Sequence, residues 1–157
     1  MTLAFTKGAG KADTLLVTRA GGATERITCP KQGIVPHDMV HYAVESSLAA
    51  QGFLGRIATG EAAAFTMAAE ATSDGVERLV EVIQGDAWSG GSAPAGELLD
   101  LYRVTCEARG CPVLPADAAA IDAIRARLAA LTAEWEAVPV GGTMTLRFGI
   151  LAPRAPA

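Results

Sequence analysis

The chain has 157 residues, enough for one domain (1–157) with a proper buried core. Half of the residues are apolar and 19% are charged, which excludes a disordered chain, while a formal charge of −4 without a Lys/Arg cluster excludes binding of nucleic acid through a basic face. No apolar run approaches the roughly 18 residues of a membrane span, and Lys7 and Lys11 stand among glycines where a signal core would lie, so a cytoplasmic protein with no membrane contact is expected.

Met1, Leu3 and Phe5 alternate with Thr2 and Ala4 and predict a first strand. Gly8-Ala9-Gly10-Lys11 reads as a loop; without a strand before it and a helix after it, it is no phosphate cradle. Thr14 to Arg19 and Thr24 to Cys29 predict two further strands around a Gly21-Gly22 hairpin turn, with Ile27 and Cys29 sharing a face. Pro36 then opens a helix, since its missing N–H is no loss in a first turn, and Asp38 meets the positive end of the helix dipole. Val40, Ala43, Val44 and Leu48 give that helix its apolar stripe and Gly52 its stop.

Beyond Gly52, Phe53 to Ile57 reads as a compact connector and Gly60 to Ala71 as an alanine-rich helix, broken by Ser73-Asp74-Gly75. Val76 to Gln84 predicts a short helix with Val76, Leu79, Val80 and Ile83 inward, ended by Gly85. Trp88 to Gly96 is a long glycine-rich loop, either a cover over a pocket anchored by Trp88 or an ordinary surface loop. Glu97 to Arg109 is a helix stopped by Gly110-Cys111-Pro112. Asp117 caps the longest helix, which runs to Ala137 with Ile121, Ile124, Leu128, Leu131 and Trp135 as its packing stripe. Thr143 to Phe148 is a last strand, and its Met144-Thr145-Leu146 echoes Met1-Thr2-Leu3, so the two ends should share a sheet. The expected fold is α+β: an antiparallel sheet of about four strands, from the N-terminal hairpin region and the C-terminal strand, packed on about five helices.

The chemistry concentrates in the first helix, which holds both histidines of the chain. At 100° per residue with His37 at zero, His41 falls near about 40° and Glu45 near about 80°, in or beside the buried stripe. Inward imidazoles need partners, because a buried unpaired polar group costs free energy. An i, i+4 histidine pair can converge on one divalent transition metal, zinc first among them, with Glu45 as a nearby carboxylate ligand. Glu45 lies roughly 12 Å along the axis from His37, so a further ligand from elsewhere is expected, with Glu61, Glu70 and Asp74 as the other acidic candidates. A metal held there would activate water or polarise a carbonyl, with Asp38 or Glu45 handling the proton, which is hydrolase or lyase chemistry.

His37-Asp38-x-x-His41 resembles, over five residues, the His-Glu-x-x-His helix of zinc metallopeptidases, with Asp38 where their general base stands. Aspartate is one methylene shorter than their glutamate, and no later histidine follows to complete a ligand set. The longer phrase, from Pro36-His37-Asp38 through His41 to Val44-Glu45 with Gly52-Phe53-Leu54-Gly55 after it, resembles a signature of a family of small uncharacterised bacterial proteins.

Two other readings stay open. The domain can be a non-catalytic module that binds a small molecule or a protein between sheet and helices, and the histidines can be core-edge residues bonded to neighbours. The stripe on the longest helix would serve a homo-oligomer as well as a core. Three cysteines argue against a disulfide framework, and Cys106 and Cys111 are too widely spaced for a zinc-finger half-site. Cys29 is the cysteine best placed to reach the histidines, and a Cys29/His41 nucleophile–base pair is a further candidate.

Overall fold

The structure is a computed structural model that describes residues 1–48, 52–60 and 71–149. Its sheet is formed by β1 (Thr2–Thr6), β2 (Ala12–Thr18), β3 (Thr24–Pro30) and β4 (Thr143–Arg147) in the order β3-β2-β1-β4, every pairing antiparallel. The helices are α1 (His37–Glu45), α2 (Phe53–Ala58), α3 (Ala71–Trp88), α4 (Ala95–Arg109) and α5 (Ala118–Ala137). This is the expected α+β architecture.

Register explains why one sheet face is apolar. Leu3 stands opposite Val17 on one side and Leu146 on the other, and Phe5 stands between Leu15 and Met144. Because side chains alternate along a strand, Leu3, Phe5, Leu15, Val17, Cys29 and Met144 all reach one buried face. The matching phrases at the two ends of the chain are thus direct neighbours, β1 against β4.

Along α5, Ile121, Ile124, Leu128, Leu131 and Trp135 recur at helical spacing and are all buried. Asp117 caps this helix, accepting the Ala120 N–H at 2.8 Å. Trp135 meets Phe5 edge-on, 6.5 Å between centroids, which joins helix to sheet. The helix α1 is tied to both: Tyr42 Oη donates to the Arg147 carbonyl at 3.0 Å, and Arg127 donates to Ser46 Oγ at 2.6 Å.

Three helix boundaries differ from the expected ones. The helix α1 ends at Glu45, well before Gly52. Phe53 to Ala58 is a short helix in its own right. The expected break at Ser73-Asp74-Gly75 is absent: α3 runs unbroken from Ala71 through Gly85 to Trp88. Tertiary contact overrides the glycine signal there. The Pro112 carbonyl comes so close to Gly75 that a Cβ would lie 2.6 Å from its oxygen, and the Tyr102 hydroxyl donates to the Gly75 carbonyl at 2.8 Å. The alanine-rich helix expected before this point falls mostly on residues 61–70, outside the described residues.

The loop after Trp88 is pinned. The Trp88 indole donates to the Gln32 carbonyl at 2.6 Å, and Arg125 donates to the carbonyls of Gly91 and Ala93 while pairing with Asp86. Among the described residues, no helix is long and apolar enough to cross a membrane.

Candidate metal centre

The site forms where α1 lies against α3. His37 opens α1 and His41 follows one turn later, so their rings share a face, 4.9 Å apart between centroids and nearly perpendicular at 81°. Glu77 approaches from α3. Its Oε1 is 3.3 Å from His37 Nε2, and its Oε2 is 2.9 Å from His41 Nε2. One potential ligand atom from each of His37, His41 and Glu77 lies within 4.8 Å of the other two.

The far side of each ring is also occupied. His37 Nδ1 is 2.6 Å from the Gln84 amide oxygen, and His41 Nδ1 is 3.0 Å from Glu45 Oε2. Both partners are acceptors, so each Nδ1 carries the donated hydrogen and each Nε2 of a neutral ring turns its lone pair toward Glu77. This is the arrangement in which an outer hydrogen bond orients a metal-binding imidazole.

Glu45 is committed elsewhere. Its Oε1 accepts the Gly52 and Gly55 N–H groups at 2.8 and 2.9 Å, and its Oε2 accepts the Leu54 N–H at 3.1 Å besides His41. It therefore satisfies the orphan donors at the start of α2 from a distance, and its charge sits at the positive end of that helix. Gly52 makes this approach feasible, because a Cβ there would lie 2.8 Å from the Glu45 carboxyl carbon and 2.4 Å from Val76.

In the metal-free protein the imidazoles favour their protons and Glu77 its negative charge. Burial opposes charge on His41, whose side chain is 3% exposed, but hydrogen bonds to Glu45 and Glu77 outweigh it and carry its pKa to about 10. Burial likewise works against ionised Glu77, and its hydrogen bonds to His37 and His41 more than reverse this, holding it well below the usual carboxylate range. His37 is raised by its bond to Glu77, against the pull of burial.

The donor set fits a divalent transition metal. Two neutral imidazoles and one carboxylate are ligands for zinc or ferrous iron, and donors about 2.0–2.1 Å from one ion stand roughly 3 Å apart, close to the observed histidine–Glu77 spacings. Three protein ligands would leave coordination open for a substrate or water.

The sequence expectations divide at this point. His37 and His41 do converge. Glu45 does not join them as a ligand: it lies behind the His41 ring, and a helix start uses its remaining acceptor capacity. Asp38 turns toward the sheet, where Cys29 Sγ donates weakly to its Oδ2 at 3.6 Å. Cys29 therefore partners Asp38 rather than His41, and burial with the nearby Asp38 charge pushes its thiol up to about 12, the wrong direction for a nucleophile. Asp74 is outside the cluster, and Glu61 and Glu70 lie outside the described residues.

Glu77 and Gln84 are the residues that sequence reasoning missed. They are seven apart, which returns them to one line of α3 within about 20°. That line runs along the flank of the inward stripe, next to Val80, where a carboxylate and an amide at that spacing were the available signal. No family model, curated protein or solved structure matches this chain.

Proposed function

We propose that the protein is a mononuclear metal enzyme of hydrolytic or lyase type, holding zinc on His37 Nε2, His41 Nε2 and the Glu77 carboxylate. The observation that carries this reading is the commitment of both Nδ1 atoms, to Gln84 and to Glu45, which aims both Nε2 atoms at one carboxylate. A divalent ion in that position supplies Lewis acidity, which activates water or polarises a carbonyl.

The chain's own residues do the remaining work. Glu45 fixes the His41 ring and cannot also serve as a base, since its oxygens already accept four hydrogen bonds. Asp38 turns to Cys29 and the sheet and stands outside the cluster, so it has no proton to move. Phe53 packs edge-on against His41, 5.8 Å between centroids, and covers part of the imidazole with apolar surface.

The test is elemental analysis of protein purified without an affinity tag, beside His41→Ala and Glu77→Gln. Near one equivalent of metal is expected in the wild type, with at least a tenfold loss in both variants. Glu77→Gln, changed at a half-buried position, should keep the fold, as checked by circular dichroism, and so separate loss of a ligand from loss of structure. Ferrous iron in place of zinc keeps the site and changes the reaction class. Wild-type protein that stays metal-free after incubation with zinc and with ferrous iron overturns the proposal and makes the cluster a structural ion pair.

A further inference from the structure

The far end of α4 carries a second arrangement of reactive side chains. Gly110 ends the helix in the left-handed region, at φ 67°. The Cys111 N–H donates to the Cys106 carbonyl at 3.1 Å, and the Gly110 N–H donates to the Glu107 carbonyl at 3.2 Å. In a helix ending of this kind the side chains that commonly meet are those of the two residues joined by the bond of wider sequence span. Here they are Cys106 and Cys111, both free thiols.

Their surroundings differ in a useful way. Cys106 is fully buried beside Tyr102, while Cys111 is half-buried and reaches solvent. The positive charge of Arg78 is near enough to favour the Cys106 thiolate, although burial leaves that thiol raised, at about 11. Arg78 is itself buried, pairs with Glu81 at 3.0 Å, and has an Nε–H without a hydrogen-bond partner among the described residues. The segment after Cys111 docks on α3: Pro112 lies over Gly75, and the Leu114 N–H donates at 3.1 Å to the same Tyr102 hydroxyl that holds Gly75.

We propose that Cys106 and Cys111 are a redox-active pair that closes into a reversible intramolecular disulfide, with a low-molecular-weight disulfide as oxidant. Cys111, the accessible thiol, gives its proton to solvent and attacks one sulfur of the oxidant, whose other sulfur leaves as a thiolate and is protonated. Cys106, losing its proton, then attacks the Cys111 sulfur of the mixed disulfide and expels the second thiol. Two protein thiols are oxidised to one disulfide, and one small disulfide is reduced to two thiols. The new bond ties the end of α4 to the segment whose Pro112 lies over Gly75, two residues before Glu77. The proposal does not depend on a metal at the histidine site.

The experiment equilibrates the full chain with mixtures of oxidised and reduced glutathione, quenches with acid, alkylates, and reads intact mass and linked peptides. The expected product is a monomer lighter by two hydrogens, with Cys106 linked to Cys111, Cys29 still alkylatable after unfolding, and complete reversal by dithiothreitol. Cys106→Ser should accumulate a glutathione adduct on Cys111, because the resolving thiol is gone. Cys111→Ser, altered at the half-buried position and checked by circular dichroism, should form neither adduct nor internal disulfide. A stable glutathione adduct on wild-type Cys111, a disulfide between two chains, or thiols that stay reduced in fully oxidised glutathione each overturn the proposal.

Discussion

The two faces that α1 presents inside the molecule are built on opposite principles. One face joins the common apolar core: Val40 and Val44 belong to it with Leu3, Phe5, Ile121, Ile124 and Leu128. On the other face the buried groups are His41, which meets Glu77 of α3, and Glu45, which meets the start of α2, and their polar atoms are matched one by one. Dispersion and burial are non-directional, so the first region tolerates small changes of shape. A buried hydrogen-bond network is not tolerant in this way, because removal of one member strands the others. The two regions should therefore answer mutation very differently.

The largest expected effect is that of Glu45→Ala. It strands His41 Nδ1 and three backbone N–H groups at the start of α2, and breaking a buried charged pair from one side costs about 3–5 kcal/mol. Urea unfolding of the metal-free protein measures it. A loss below about 1 kcal/mol, the scale of an exposed ion pair, would mean that water replaces the carboxylate and that the network is not rigid.

Next in size is the response of the metal-free protein to pH. The pKa of His41 is raised on folding, from an ordinary 6.5 to about 10, so its contribution to stability is complete below about pH 6.5 and is lost as pH rises toward 10. Glu77 is depressed, so its contribution is present above its ordinary 4.5 and is lost as pH falls below that value. Stability should peak between about pH 5 and 6.5 and decline on both sides. Metal affinity should follow the opposite course on the alkaline side, rising with pH because the ion displaces the His41 proton. Thermal midpoints measured from pH 3 to 9 test the decline on both sides, and with zinc added from pH 5 to 9 parallel curves would show that proton and metal do not compete.

The same contrast governs what the sequence made legible. The strand alternations, the α5 stripe and the Asp117 cap were readable because each is a local periodic signal. The pairing of the two chain ends came from matched phrases, Met1-Thr2-Leu3 and Met144-Thr145-Leu146. His37 and His41 were readable because four residues on one helix is also a local relation. Glu77 was not, since nothing near α1 states which helix will lie against it. Glu45 is expected from the sequence as a nearby carboxylate ligand, and its use at the start of α2 was not legible, because an angle about one helix axis does not show that another helix begins there and needs acceptors. The continuity of α3 through Gly75 was hidden for the same reason, its cause being Pro112 and Tyr102, far along the chain.

A smaller effect should separate the orienting residue from the ligands. Gln84 accepts from His37 Nδ1 without belonging to the ligand cluster. Gln84→Ala should weaken metal binding by about 10–100-fold while leaving the stoichiometry at one, the usual scale for loss of an outer partner of a ligating histidine. Competition with a chelator of known affinity reads this directly. An unchanged affinity would mean that the helix start alone fixes the His37 ring.

The smallest effect belongs to the apolar region and provides the control for the rest. Ile124 is fully buried on α5, and Ile124→Val removes one methyl from a contact surface without removing any hydrogen-bond partner. The expected cost is about 0.5–1.5 kcal/mol, from lost transfer energy and a small residual cavity. Because Ile124 makes no bond to the His37, His41 or Glu77 side chains, the variant should unfold earlier in urea yet keep the pH profile of the wild type. Its stability curve would then be displaced downward without change of shape. A change of shape would couple core packing to the protonation of His41, and the division between a tolerant apolar face and an exacting polar one would have to be drawn elsewhere than along α1.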